Sequence, residues 1–502
     1  MAYKNFTIET DSDGIALVTW DMPGKTMNVI DQSVTEEIGK IIDETAADPA
    51  VKGVVITSGK DAFSGGADLS MLEGIFATYQ KTRKKDPEGA ATLLFESASF
   101  LQKLLRKLET GNKPWVAAIN GLAMGGALEL CLACHGRVMT DDPKAKIGLP
   151  EVKVGLFPGG GGTQRVPRLI HTQEALQMLL QGKNYDGAKA KRLGLVHEVV
   201  PAGEVVAAAK KMILGGLKPV QPWDEKGFKL PGGPVYSAQG AQLFPPANAI
   251  YRRETYDNSP GARAIMKCVY EGLLLPMDAA LRVESRYFAH VLTTTEAGMM
   301  IRSLFLSMQA LNKGARRPSG VAASTIKKVG ILGGGGFMGA GIGYVSAKGG
   351  IDVVLLDRDQ AAADKGRAHC DDLETKAIGR GASSPQQKEA LLSRIRATTD
   401  YADLADCDLV IEAVFEDSNV KKTVTEAAAK HMKAGAIFAS NTSTIPITGL
   451  EKNFPDAKRF IGIHFFSPVD RMMLTEIILG KKTGDTALAV ALDYVRAIKK
   501  TP

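Results

Sequence analysis

Residues 14–20 (GIALVTW) and 51–58 (VKGVVITS) are short runs rich in β-branched residues, the pattern of strands with one or both faces buried. Between them, apolar positions in 32–45 recur at helical spacing, and 93–108 repeats that pattern. A further strand, 115–119 (WVAAI), leads into an almost wholly apolar helix that contains Glu129. Residues 1–215 therefore read as a domain of alternating β and α elements. The charged stretch 81–88 (KTRKKDPE) reads as a solvated loop. Residues 216–260 carry proline and glycine throughout (KPVQPW, LPGGP, LFPPAN) and read as irregular, whereas 263–313 returns to long amphipathic helix, ended by GARRPSG at 314–320. A new strand at 327–332 opens a second globular unit. The expected organisation is a first domain over 1–215, a connecting segment with linker helices over 216–320, and a second domain over 321–502, all of the α/β class.

Composition narrows what such a chain can be. At 502 residues it is too long for one hydrophobic core. An apolar content of 45% excludes a disordered chain, and the apolar runs fall short of the ~18 uncharged residues of a membrane span. The formal charge of +7 suits anionic ligands, but no dense basic stripe points to nucleic acid. The opening MAYKNFTIETDSDG has neither a secretory nor a transit pattern, and five cysteines show no disulfide spacing, so a reducing, cytoplasmic setting is expected.

Two glutamates stand in glycine-rich frames: Glu129 in GLAMGGALEL and Glu151 in GLPEVKVGLFPGGGGTQR. Gly125 and Gly126 precede Glu129 at a predicted helix N-terminus, where unpaired N–H groups favour a developing oxyanion. Two carboxyls 22 positions apart could then divide acid and base work. A purely structural Glu129 is disfavoured, because an unpartnered carboxylate within ALELCLA would be costly. Cys131-Leu-Ala-Cys134-His135 matches the C-x-x-C-H pattern of haem attachment, but without an export route the cysteines read as small core residues. No residues are assigned to a metal.

The second domain opens on GILGGGGFMGAGIGYVSAKGGIDVVLLDRD (330–359), which runs strand, glycine turn, helix, strand and acid. Counted back from Gly339, the G-x-G-x-x-G fingerprint uses Gly334 and Gly336, although Gly333 and Gly335 leave the frame open by one. Asp357 follows Gly334 by 23 residues, where an acid binds ribose hydroxyls, so NAD is favoured over NADP despite the adjacent Arg358.

FSGGADLSML (63–72), INGLAMGGALEL (119–130) and GLPEVKVGLFPGGGGTQRVPRL (148–169) resemble the signature blocks of the crotonase, or enoyl-CoA hydratase, superfamily. Blocks 326–357 and 408–479 resemble 3-hydroxyacyl-CoA dehydrogenases, and the two in this order are similar to multifunctional alpha subunits of fatty-acid β-oxidation complexes. The resemblance implies a crotonase (ClpP/crotonase-like) fold, then a Rossmann NAD-binding domain. It implies that Gly126 and Ala67 supply oxyanion-hole N–H groups to an acyl-CoA thioester. Glu129 and Glu151 would flank the double bond, one activating water and the other protonating C2. In the dehydrogenase part it assigns His464 as the base, Glu476 as its orienting partner, Ser443 to the substrate hydroxyl, Glu416 to the polar network and Lys421 to the nicotinamide ribose. Ser467 stands where asparagine is frequent, and Asp68 reads as a turn residue. The stretch 81–88 could alternatively touch the coenzyme A phosphates. Two extra residues lie between Glu129 and Glu151, in TDDPKAK (140–146), a surface turn that should leave both glutamates in the pocket.

The family continues beyond the final YVRAIKKTP with a strand, an asparagine block and an all-helical domain. Those parts are lacking from the 502 residues, so hydration is expected to be strong and oxidation weak. A thiolase beta subunit is the implied partner, an accessory enoyl-CoA isomerase activity stays open, and a non-catalytic assembly subunit is the competing reading.

Overall fold

The computed structural model describes residues 3–502. Met1, Ala2 and the side chains of Leu69, Ser70, Leu72 and Glu73, the first three of these within the 63–72 block, lie outside the described residues. The chain divides into two compact units, residues 1–306 and 307–502.

The first unit is built on a six-stranded sheet in the order Phe6–Thr10, Ile15–Trp20, Gly53–Ser58, Trp115–Ile119, Gly136–Thr140, Glu198–Val200. The first pair is antiparallel and the others are parallel. Gly53–Ser58 and Trp115–Ile119 are buried along their whole length, which is why they read as continuous apolar runs rather than alternating ones. Phe6–Thr10 was not expected; FTIET alternates too weakly to stand out and is recruited by its pairing with Ile15–Trp20.

Three readings are corrected. The stretch 81–88 is largely exposed but is a loop only over 84–86: one helix runs Leu69–Arg83 and the next begins at Pro87 and continues to Glu109. Asp86 caps that second helix by accepting from Gly89 N, and Pro87 sits at the first helical position, where its missing N–H costs nothing. The irregular 216–260 region contains the helix Ala238–Thr255, capped by Ser237 and tolerating Pro245 and Pro246 in its interior because Phe244 and Tyr251 bury themselves on the unit. The single long helix expected over 263–313 is divided into Pro260–Gly272, Met277–Leu292, Thr295–Ile301, a π-helical Arg302–Leu306 and Ser307–Asn312. Pro276, which caps the second of these, is one reason the helix cannot run through.

In the second unit seven strands follow the order Ile395–Thr398, Asp352–Leu356, Lys328–Leu332, Leu409–Glu412, Ile437–Ser440, Phe460–Phe465, Thr475–Ile478. All pairs are parallel except the last. The order reverses beside Lys328–Leu332, the first strand in sequence, and such a switch point is where open α/β sheets bind ligands at their carboxyl ends. Among the described residues no helix is long and apolar enough to cross a membrane.

Candidate active sites

Gly125 ends a short strand with φ +55 and serves as the N-cap of the helix Gly126–Ala133, offering no side-chain cap. The first N–H groups of that helix are therefore left for another acceptor. Gly66 (φ +91) turns the chain so tightly against Met124 that a Cβ there would lie 2.6 Å from its carbonyl oxygen. The turn brings Ala67 beside Gly126: a Cβ on Gly126 would stand 3.8 Å from Ala67 N. Neither the Ala67 nor the Gly126 N–H finds an acceptor among the described residues. The pair forms a ready-made anion seat.

All eight residues of Gly126–Ala133 are buried, Glu129 included. Its Oε1 accepts from Gly160 N at 2.8 Å and Gly162 N at 2.7 Å. A Cβ on Gly160 would lie 2.7 Å from Glu129 Oε2, and one on Gly162 2.9 Å from Oε1, so these glycines let backbone come up to the carboxyl. Burial raises the Glu129 pKa, opposed by the Gly162 N–H, Arg165 and the Gly160 N–H.

Glu151 opens the 3₁₀ turn Glu151–Val154 and points its carboxyl back at Gly125, whose Cβ would stand 3.0 Å from Oε1. Glu151 is half-buried as a residue, but its Oε2 is buried and has no hydrogen-bond partner. Burial first, then the charges of Glu129 and Glu284, push its pKa well above the usual carboxylate range. The two carboxyls thus share one pocket with unequal support: the Gly160 and Gly162 N–H groups and Arg165 favour the ionised form at Glu129, whereas at Glu151 a backbone N–H alone does so and Oε2 has no donor. The turn 141–144 between them is exposed.

Three residues that sequence reasoning did not single out complete this pocket. Arg165 and Glu109, both fully buried, pair at 2.6 Å, and Arg165 also donates to the Gly160 carbonyl at 2.6 Å. Glu284, on Met277–Leu292, accepts from Gly161 N at 2.6 Å and from Thr163 N at 3.0 Å. Asp68 pairs with Lys25 at 3.6 Å. Cys131 and Cys134 are wholly buried, and both ring nitrogens of His135 are engaged, by Trp115 N and the Glu109 carbonyl, each at 3.1 Å, which leaves no room for haem.

The second constellation lies along the carboxyl ends of the seven-stranded sheet. Gly333 leaves Lys328–Leu332 with φ +79, and Gly336 caps the helix Phe337–Lys348 without a side-chain bond. A Cβ on Gly334 would meet Leu355 at 2.8 Å, on Gly335 the Ala362 carbonyl at 2.2 Å, and on Gly339 the Gly333 carbonyl at 2.1 Å. Only bare backbone fits this turn, which explains why the fingerprint could be counted in two frames. Asp357, at the end of the adjacent strand, holds Gly335 N at 2.8 Å, while the exposed Arg358 turns to Asp359 at 3.2 Å. An uncapped helix N-terminus, a side-chain-free cradle and an acid on the neighbouring strand fit a dinucleotide.

Lys421 is buried and lies 3.0 Å from Glu412 and 3.1 Å from Glu416. Glu412, which the sequence did not mark, also accepts from the Ser440 hydroxyl. Burial raises Glu416, but the Thr442 hydroxyl, the Thr444 N–H and Lys421 outweigh it and bring its pKa down to about 2. Ser443 donates its N–H to Glu416 at 2.9 Å. His464 Nδ1 lies 2.8 Å from Glu476 Oε2.

Fold and geometry together define a crotonase-type unit followed by a Rossmann-type dinucleotide-binding unit. Residues 10–215 match the enoyl-CoA hydratase/isomerase family, and residues 328–502 match the NAD-binding domain of 3-hydroxyacyl-CoA dehydrogenases. The fatty acid oxidation complex subunit alpha of Shewanella loihica is 36% identical over 99% of this chain and 69% of its own length. That of Shewanella amazonensis is also 36% identical, over the same shares. A solved (S)-3-hydroxybutyryl-CoA dehydrogenase from Ralstonia eutropha is 38% identical over 36% of this chain and 62% of that one, with a TM-score of 0.35, too low to bear on the fold. The chain belongs to the family of fatty acid oxidation complex alpha subunits.

Proposed function

We propose that the first unit adds water across the double bond of 2-enoyl-CoA and that the second oxidises the resulting 3-hydroxyacyl-CoA to 3-ketoacyl-CoA. The observation that carries the first step is the pairing of two free N–H groups, Ala67 and Gly126, with two unlike carboxyls, Glu129 and Glu151. The N–H pair binds the thioester oxygen as the enolate forms; losing one such donor typically costs ~10²–10³ in rate. Glu129, whose ionised form the Gly160 and Gly162 N–H groups favour against burial, takes a proton from the water that attacks C3. Glu151, whose buried oxygen holds its proton for want of any other partner, delivers it to C2.

In the second unit His464 takes the proton of the 3-hydroxyl, with Glu476 orienting the ring and stabilising its charged form. The hydride acceptor for C3 would be supplied by a bound NAD. Gly334, Gly336, Gly339 and Asp357 would hold it, with Glu416 and Lys421 toward the nicotinamide ribose and Ser443 at the substrate hydroxyl. The product is a 3-ketoacyl thioester, whose next step is thiolytic cleavage, so a thiolase is the proposed partner subunit. Five buried free thiols support a reducing, cytoplasmic setting.

The test is hydration of a chain-length series of 2-enoyl-CoA thioesters by the purified chain, followed by loss of enoyl absorbance. Turnover with at least one chain length is expected. Its absence across the series would overturn the hydratase reading.

A further inference from the structure

The loop Gly160–Gly161–Gly162–Thr163 alternates its N–H groups between two buried glutamates. Gly160 and Gly162 donate to Glu129 at 2.8 and 2.7 Å, and Gly161 and Thr163 donate to Glu284 at 2.6 and 3.0 Å. The Glu284 carboxyl further accepts from Gln102 Nε2 at 2.6 Å and from the Thr163 hydroxyl. Ser285, next to it, fixes the other end of Gln102 by donating to Oε1 at 2.5 Å. Four donors from the loop and the neighbouring helix thus converge on one wholly buried side chain. Glu284 sits on Met277–Leu292, well beyond residues 10–215 that match the hydratase/isomerase family.

We propose that Glu284 is a positioning residue of the hydratase site: by clamping Gly161 and Thr163 it sets the two N–H groups that aim Glu129. The inference rests on the hydratase reading given above. A glycine loop has little stiffness of its own, so a carboxyl that depends on it needs a second anchor, and a displacement of ~1 Å at a reacting group can cost ~10² in rate. Glu284 also adds charge to the site. The ionisable groups facing it are Glu129, Glu151, Arg165 with its partner Glu109, Arg168 and Cys268. Burial and then Glu129 push its own pKa up to about 8, so it ionises toward the alkaline side, where its charge helps Glu151 keep a proton.

The test compares the unaltered 502-residue chain with Glu284→Gln and Thr163→Val in enoyl-CoA hydration across pH. Glu284→Gln should lower kcat by about 10²-fold while KM stays within about threefold, because the thioester seat is untouched. Its alkaline limb should move to lower pH by about half a unit or more, since the like charge that holds the proton on Glu151 is gone. Thr163→Val, which removes one donor to Glu284, should lower kcat in the same sense by a smaller factor, and it carries the test if Glu284→Gln does not fold. Unchanged kcat with an unmoved alkaline limb in a folded variant would overturn the role of Glu284. A wild type without hydration would instead overturn the reaction assigned to the site.

Discussion

Glu476 Oε2 lies 2.8 Å from His464 Nδ1 because the two residues are direct cross-strand partners in the antiparallel pair Phe460–Phe465 and Thr475–Ile478. Their spacing of 12 in sequence is therefore a property of sheet register: side chains opposite one another on one face stand within reach. A shift of one residue would turn Glu476 to the other face and leave the imidazole without its partner.

Glu476→Gln keeps the shape and the strand pairing but removes the charge that steadies a protonated His464. Oxidation of 3-hydroxyacyl-CoA, followed by NADH absorbance, should fall by about 10²-fold or more relative to the unaltered chain, while NADH affinity stays the same. Equal rates in the two proteins would detach Glu476 from the reaction.

Glu151 makes hydration and stability both depend on pH. Its folded pKa is raised, so in the proposed role it would act as an acid only while protonated, and kcat should fall as pH rises through that value. The linkage has the same sign. A carboxyl raised on folding contributes stability that is fully present below the unfolded value near 4.5 and is lost as pH climbs through the folded one. Glu151→Gln should therefore lose less Tm than the wild type between mildly acidic and alkaline buffer. Parallel Tm profiles would contradict the burial of this acid with its raised pKa.

Gly339→Ala tests the dinucleotide cradle. Its Cβ would lie 2.1 Å from the Gly333 carbonyl, a backbone atom that cannot yield without opening the turn. NADH binding, read by fluorescence, should weaken by about tenfold or more, with enoyl-CoA hydration by the first unit unchanged. Wild-type NADH affinity would mean that the glycine turn is not the binding element.

The division into a crotonase-type and a Rossmann-type unit was legible because glycine frames and apolar strands carry local, position-specific constraints. Gly66, Gly125 and Gly339 are all places where a side chain would strike backbone or the Glu151 carboxyl, so their spacing is written directly in the sequence. What stayed hidden was long-range. Glu284 is 155 residues from Glu129 in sequence, and nothing local says that one loop serves both. A signal did exist: Met277, Ala280, Leu281, Glu284, Ser285, Phe288 and Val291 fall on the buried stripe of their helix, and a carboxyl within such a stripe needs donors from elsewhere. Glu412 was missed for a similar reason. It closes an apolar strand, and only the packing of Lys421 against it shows that it is paired. The run 81–88 was misread because charge density outweighed the Asp86-Pro87 start signal that the chain follows.

The most direct measurement is the hydration rate of 2-enoyl-CoA by Glu129→Gln and Glu151→Gln, each compared with the wild type, with binding of a non-reactive acyl-CoA measured in parallel. Each variant should lose about 10²-fold or more in kcat and still bind the thioester, because Ala67 and Gly126 keep their N–H groups. Wild-type turnover in either variant would contradict the division of proton transfer between these two carboxyls.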